Sequence, residues 1–565
     1  YDLPMLLLAL SGADCAQLKQ ANDEMIVGGM KWWVMLKKYG LRIPDWIDHI
    51  DVMEPTPGVR VTLKQYACRL HSKKVQDSPV DFKLPIDHAH IPQEVSYCRN
   101  DRRVTLELRD AIKSRIDLRI KLSERYGIDL RSKSDGTLSP IIPRFPHGHK
   151  FKCIIPEYVH FVTPYMQSVL ELVRNCEFTL TDKEEALLLA DGTEELGPDG
   201  KKLKTGVVMP RELKGLDIHM GGSTFRMGIG GLHSKEKKTT VRSQPGVGTL
   251  RTADVAAYYP SNIVNSRMSP PQLGPLFQEI YGGFKRERDT AKTTLPTLPK
   301  GPEYDALKTV TDGFKIVNNG TFGKLFSRHS IFYHPQMGIT VTVGYGQLSL
   351  LMLIERLTIS GIRVISTNTD GIEMFVPDGF DGACDAILAW WEKTCGLTLE
   401  VSSYLALCSE SVNSYVSLQF DDSVKRKGRY GRSGVISPDA TAGKHPDIDI
   451  CAEAVIAWLS KSTSLGQTIR SCDDIRKFIR VRGAKGGARM SSDTPDMNYG
   501  RAVRWYYSTT TAGDYIVDAE SNNKVAGSDG AKLCMDLPTR LPDDIDYHYY
   551  ETVAEKLLMD MGIGG

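Results

Sequence analysis

Apolar residues recur every four positions at Val104, Leu108, Ile112 and Ile116, which marks one stripe of a helix. Pro92 suits a first turn, where its missing N–H costs nothing, so the spacing predicts one long amphipathic helix over 91–125. An apolar run from Tyr345 to Leu357 predicts a buried helix. Residues 284–325 read as two helices joined by a Pro-rich hairpin at Leu295–Pro302. Residues 362–376 alternate in the manner of a β-hairpin, with Thr369-Asp370-Gly371 at the turn. Residues 207–285 read as mixed strands and helices, and residues 1–10 are an apolar run. Polar stretches rich in Gly, Pro, Ser or Asp at 131–150, 191–206 and 431–449 read as boundaries. These patterns together predict an α+β multidomain chain.

Composition narrows this picture only a little. At 565 residues the chain exceeds one core and predicts three to five domains. Hydrophobic residues are 41% and charged residues 25%, as in an ordinary globular protein, and the net charge of +2 does not announce a polyanion partner. Local clusters do more: residues 99–125 carry nine Lys/Arg against five Asp/Glu, and residues 470–505 nine against four. Phosphate binding needs such patches, although a solvated helix face has the same composition. The eleven cysteines are never closer than eleven residues apart, which argues against a zinc site of the usual spacing and for reduced thiols. Ile339–Ile354 is too short to span a bilayer, and no signal peptide is read, so no membrane partner and a cytoplasmic location are expected. The chain opens on Tyr1, so an N-terminally incomplete reading is expected.

The candidate chemistry lies in two aspartates 116 residues apart, Asp254 and Asp370, each beside turn residues at the end of an apolar segment. The first reads Asp254-Val255-Ala256-Ala257-Tyr258-Tyr259-Pro260-Ser261, and the second Asn368-Thr369-Asp370-Gly371. Between them lies Lys315-Ile316-Val317-Asn318-Asn319-Gly320-Thr321-Phe322-Gly323. A lone Asp in a turn is usually a surface turn former. Three ordered motifs are another matter, and together they resemble the polymerase motifs of family B DNA polymerases, of viral or phage style.

The resemblance implies a right-hand polymerase (palm, fingers, thumb) preceded by a partial RNase H-like exonuclease domain. It divides the chain into 1–130 partial exonuclease, 131–250 linker and palm-leading region, 251–283 palm, 284–330 fingers, 331–435 second part of the palm and 436–565 thumb. It implies template-directed addition of dNTPs to a primer 3′ end, with Asp254 and Asp370 as catalytic residues holding two Mg2+ ions, or Mn2+ in their place. Ala257, Tyr258 and Tyr259 would meet the nucleotide, one tyrosine ring excluding a 2′-hydroxyl, and Arg288, Lys292, Lys315 and Asn319 would grip the triphosphate. The family's first acid of its D-T-D motif is Asn368 here, and restoring Asp there is expected to be tolerated. Glu373, near the hairpin tip, is expected on the wrong strand face.

Flanking segments extend the likeness. Gly230 and Gly231 lie in a glycine-pair motif that would approach DNA closely, while Lys425, Lys427 and Tyr430 match a basic strand that holds the primer duplex. Arg501 and Arg504 are further DNA-contact candidates. Tyr97 and Asp101 match the Y-x-x-x-D exonuclease motif, and Asp2 the end of an earlier one. Primer–template DNA, dNTPs and replication accessory proteins are the implied partners. The alternatives are a protein-primed polymerase, disfavoured by only 61 residues between Asp254 and Lys315, and a catalytically inactive polymerase-like scaffold.

Overall fold

The computed structural model describes residues 2–44, 46–56, 61–80, 86–126, 129, 131–132, 148–186, 204–271, 273–326, 332–431 and 445–564. The expected boundaries at 131–150, 191–206 and 431–449 therefore lie largely outside the described residues. The chain forms two compact units, 1–51 and 52–565.

The smaller unit is a helical cluster of α1 (Asp2–Leu10), α2 (Cys15–Ile26) and α3 (Trp32–Lys38). Leu7, Leu8, Ala21, Met35 and Leu36 form its core. Asp14 caps α2 in a capping box with Gln17, which satisfies two otherwise orphaned N–H groups.

The larger unit begins with α4 (Leu63–Arg69), α5 (Ile91–Ala111) and α6 (Lys113–Tyr126). The predicted helix over 91–125 breaks at Ile112, whose φ of −106° and ψ of 17° leave the helical region. Ile112 and Ile116 stay buried on the same stripe, so the apolar period continues across the break. Among the described residues of 2–126 there are helices and no strand ladder. The RNase H-like sheet expected within 1–130 is thus not built by the described residues. Instead Ala67, Cys68, Val75 and Val104 pack into the core of the C-terminal lobe.

Two small sheets follow. One joins β1 (Lys150–Phe151), β2 (Phe178–Ala186) and β3 (Lys204–Val208), with α7 (Pro164–Asn175) between β1 and β2. The other joins β4 (Asp217–Met220), β5 (Ser223–Met227) and β6 (Leu232–Ser234). Then comes the central sheet: β7 (Lys237–Arg242), β8 (Gly248–Val255), β9 (Arg363–Thr367), β10 (Gly371–Pro377), β11 (Leu399–Ser411), β12 (Ser414–Gln419) and β13 (Val424–Lys427). Its order is β13-β12-β11-β8-β10-β9, with β7 also on β11, and every pairing is antiparallel. The predicted hairpin at 362–376 is β9–β10.

Antiparallel pairing gives this sheet two unlike faces. Ala253, Val255, Ile372, Met374 and Val376 point into the main core. There they meet α12 (Leu348–Ile359) and α13 (Asp381–Cys395). The predicted helix at 345–357 is part of a longer one: α11 (Pro335–Ile339), a π-helical stretch Thr340–Gln347, and α12. Pro335–Ile359 is long and apolar enough to cross a membrane, which 339–354 was not expected to be, yet 94% of its most apolar window is buried in protein.

Between β8 and β9 run α8 (Tyr258–Ser266), α9 (Leu276–Thr294) and α10 (Pro302–Lys324). The last two pack as the predicted helical hairpin, turned by a 3-10 segment at Leu295–Thr297, and Pro302 starts α10 where no N–H is needed.

The C-terminal lobe holds α14 (Asp449–Lys461), α15 (Leu465–Arg470), a sheet β14 (Arg480–Gly483), β16 (Ala502–Tyr507), β18 (Ala531–Leu533), a strand pair β15 (Ala488–Met490), β17 (Ile516–Asp518), and α16 (Tyr547–Asp560). Arg504 is fully buried here. Its guanidinium donates to the carbonyls of Cys534 (2.7 Å), Ser72 (3.1 Å) and Met535 (2.9 Å). A buried guanidinium needs such acceptors, and these tie residue 72 to the β16–β18 sheet. The expectation that Arg504 contacts DNA is therefore corrected: it is an internal brace. Arg501, three residues earlier, is exposed.

Candidate active site

The site is built by register. Asp254, the penultimate residue of β8, lies opposite Gly371 of β10 on one side and Glu400 of β11 on the other. Asp370 precedes Gly371 in the hairpin turn, and its carbonyl accepts from the Val255 N–H at 2.7 Å. The two aspartates expected to act together are thus brought to the same strand ends. Asp254 reaches solvent, yet burial by surrounding protein raises its carboxyl above the usual range, against the pull of Lys425.

Gly371 is part of this geometry. A Cβ on it would lie 2.0 Å from Asp254 Oδ1. The Asp254 carboxylate occupies the space that any other residue at 371 would fill.

The turn itself is gripped from both sides. Thr369 has a φ of +68°, unusual for a β-branched residue, and donates its N–H to Leu232 at 2.8 Å. Its Oγ1 lies 3.3 Å from His233 Nε2. Gly231 backs onto it, since a Cβ there would fall 2.7 Å from Thr369 Oγ1. The close approach that Gly231 permits is to the protein's own turn, where DNA was expected. Gly230 likewise has an internal partner, because its carbonyl accepts from the Tyr259 hydroxyl.

On the other side Asn368 Nδ2 donates to Val412 O (3.0 Å) and Asn413 Oδ1 (3.1 Å). This explains Asn in place of the family's acid: the position needs a donor. An Asp would set its oxygens against the Val412 carbonyl. Contrary to the sequence expectation, Asn368→Asp should lower thermal stability, by about 1 kcal/mol or more, and loosen the turn. Calorimetric unfolding checks this; an unchanged midpoint with full activity would restore the earlier expectation.

Glu373 also departs from expectation. It pairs with Thr252 in register and shares the Asp254 face, two steps along β10 from Gly371. Tyr404 donates its hydroxyl to Glu373, whose carboxyl burial pushes up to about 8. Beside it, Ser366 donates to Glu236 at 2.5 Å, and burial raises that acid as well. Lys427 faces this group: burial lowers its pKa, while Asp370, Asp254 and Glu373 pull it up. Tyr415, opposite Lys427, is pushed up to about 12 by burial and by the charges of Glu373, Asp254 and Asp370. Lys425 and Lys427 both reach solvent, as a duplex contact requires, although the protein around Lys427 still partly desolvates its ammonium. Tyr430 does not. It is fully buried, and its hydroxyl shares one proton between two acceptors in reach, Glu410 (3.2 Å) and the Leu557 carbonyl (3.1 Å), so it anchors α16 and cannot meet DNA.

The two tyrosines after Asp254 divide their roles. Tyr258 is 3% exposed within the main core, which keeps its ring, though not its backbone N–H, out of the nucleotide site. Tyr259 is partly exposed, and its ring lies flat on Phe322, with centroids 3.7 Å apart and planes 5° off parallel. Ala257 takes a left-handed conformation (φ 49°) as the N-cap of α8. In the first turn of α8 the N–H groups of Tyr258 and Tyr259 have no intrahelical acceptor, Pro260 has no N–H, and the Ser261 N–H donates to the Ala257 carbonyl.

On α9, Lys292 pairs with Glu400. The Arg288 Nε is buried without a hydrogen-bond partner. The side chains of Lys315 and Asn319 lie outside the described residues, although their backbone is in α10. Tyr97 and Asp101 share a face of α5, but Lys64 pairs with Asp101 and sits 4.3 Å over the Tyr97 ring. Asp2 is exposed in the first turn of α1, in the smaller unit. Sequence reasoning missed Glu400, which is legible only through the β8–β11 register.

Among the described residues, no three His, Cys, Asp or Glu side chains gather closely enough to hold a metal alone. The donor set still fits magnesium, which takes one or two carboxylates and completes its shell with substrate phosphates and water. Burial of Asp254 fits too, since the charge it disfavours is what a cation offsets.

No protein-family model and no curated protein matches the chain. Among solved structures it is similar to the family B DNA polymerase of the hyperthermophilic archaeon Pyrobaculum calidifontis, at 15% identity and a TM-score of 0.38, over 85% of this chain and 58% of that one.

Proposed function

We propose that the chain is a template-directed DNA polymerase of the family B type, adding dNTPs to a primer 3′ end at Asp254 and Asp370. The observation that carries this is the β8–β10 register, which sets Asp254 against Gly371, next to Asp370. Asp254 and Asp370 would hold Mg2+, or Mn2+ in its place; when bound, the ions neutralise phosphate charge and activate the primer hydroxyl. The N–H groups at the start of α8 would cradle the phosphates. Arg288 and Lys292 would meet them from α9, Lys292 exchanging Glu400 for the nucleotide. Lys425 and Lys427 would hold the primer duplex beside the acids. In this reading the central sheet is a palm, α9–α10 the fingers and the C-terminal lobe a thumb. Proofreading is left out, because the described residues of 2–126 build helices and no strand ladder to carry such a site.

Primer extension tests the proposal. With Mg2+ and one dNTP at a time, only the nucleotide complementary to the template should be added; no addition with either Mg2+ or Mn2+ would overturn it. Tyr259→Ala should lower the ratio of dNTP to rNTP incorporation about tenfold or more, by removing the ring beneath the sugar. An unchanged ratio would make Tyr259 only the packing partner of Phe322.

A further inference from the structure

Two of the eleven cysteines are set face to face by the register of the first small sheet. Lys150 of β1 lies opposite Thr179 of β2, and Phe151 opposite Phe178. The same count, carried two steps on, sets Cys153 opposite Cys176. Burial alternates as this register requires: Phe151, Cys153, Cys176 and Phe178 are buried, while Lys150, Lys152 and Glu177 are exposed. Contacts on both faces agree. The Phe151 and Phe178 rings stack on the inner face with centroids 6.0 Å apart, and Lys150 pairs with Glu177 at 3.4 Å on the outer one. Cys176 is extended, with φ of −70° and ψ of 138°.

Facing residues of an antiparallel pair stand about 4.5–5.5 Å apart at Cα, and a disulfide spans about 4.4–6.8 Å. The two sulfurs can therefore join with little movement of the backbone. Both are free thiols. Burial pushes the Cys153 thiol up to about 12, with Cys176 beside it adding to the effect, and burial raises Cys176 as well. Neither thiol reacts readily while the ladder is closed. The ladder has a weak side, however: β1 is two residues long and forms the edge of its sheet, and such a segment opens more readily than a sheet interior.

We propose that Cys153 and Cys176 form a reversible oxidation site, which hydrogen peroxide closes into a disulfide stapling the segment after β1 to the start of β2. One thiolate attacks a peroxide oxygen: an S–O bond forms, the O–O bond breaks, and the leaving hydroxide takes up the thiol proton as water. The second sulfur attacks the sulfenic acid: the S–S bond forms, the S–O bond breaks, and a second water leaves. The two thiols lose two electrons and the peroxide gains them. The stapled segment lies on the long core helix, where the Ile154 N–H donates to Thr340 Oγ1 at 3.0 Å and Gln336 donates to the Lys152 carbonyl at 3.2 Å. The site does not depend on the polymerase reading.

The full chain is treated with hydrogen peroxide, its remaining thiols are alkylated, and it is digested with trypsin, which cuts after Lys152, Arg174 and Lys183. Peptides 153–174 and 175–183 should appear in the mass spectrum as one species, lighter than their sum by two hydrogens, and dithiothreitol should separate them. In Cys176→Ala, peptide 153–174 should stay unlinked. Amide exchange over 148–153 should slow about tenfold or more in the oxidised parent, and in neither Cys153→Ala nor Cys176→Ala. Separate peptides after oxidation, alkylated or carrying sulfinic acid, would overturn the proposal. So would a link that forms only after unfolding in urea, or a link that leaves amide exchange unchanged.

Discussion

Asp254→Asn and Asp370→Asn should each lower Mg2+-dependent dNTP incorporation about a thousandfold or more, while primer–template affinity changes little. The expectation follows from what Asn preserves and removes. It keeps the shape of the side chain, so the contact with Gly371 and the β8–β10 register survive. It removes one of two negative charges at a site whose proposed chemistry is charge neutralisation on phosphates. Metal-borne stabilisation is worth several kcal/mol, which is three or more powers of ten in rate. Duplex affinity depends on phosphate contacts from Lys425, Lys427 and other exposed cations, which these substitutions leave in place. Single-turnover extension beside a filter-binding titration separates the two effects. Near-parental extension by either variant would sink the assignment of that aspartate. Equal loss of extension and duplex binding would mean that the pair shapes the sheet end and not the reaction.

Much of this site was legible in the sequence because its parts are local. The β9–β10 hairpin is announced by alternation around a turn, and the helical hairpin by two helical stretches around Pro296, Pro299 and Pro302. What escaped depends on register or on burial. Glu400 comes opposite Asp254 only because β11 runs thirteen residues and pairs with β8 through its first half and with β7 through its second. Arg504 sits in Ala502–Tyr507, six residues that are all buried. An Arg among aromatic residues reads equally as a DNA contact or as a brace, and only the carbonyls of Ser72, Cys534 and Met535 decide it. Tyr430 and Tyr258 err in the same way: an aromatic residue beside a motif was given the motif's chemistry when it serves the core. The π-helical stretch at Thr340–Gln347 left one trace, Gly344 and Gly346. A Cβ on Gly344 would fall 2.1 Å from the Ile154 carbonyl, and one on Gly346 would fall 2.7 Å from the Tyr258 hydroxyl.

Gly371→Ala should lower the rate strongly, though about tenfold less than loss of an aspartate, and it removes no functional group. Gly371 is not among the residues of positive φ, so alanine meets no backbone penalty there. The whole effect comes from one methyl group. That methyl would lie 2.0 Å from Asp254 Oδ1 and 3.1 Å from its Cγ, well inside contact distance. Strand β10 is fixed on both sides, by seven register partners in β8 and by the hairpin with β9, so it yields less readily than one side chain. The Asp254 carboxylate is therefore expected to swing away from Asp370. A misplacement of about 1 Å in a reacting constellation costs on the order of a hundredfold in rate. The variant should stay folded, bind duplex normally, and need more Mg2+ for half-maximal extension than the parent. Parental kcat at parental Mg2+ would show that Asp254 can leave its observed position without consequence, and that its place against Gly371 does not set the chemistry.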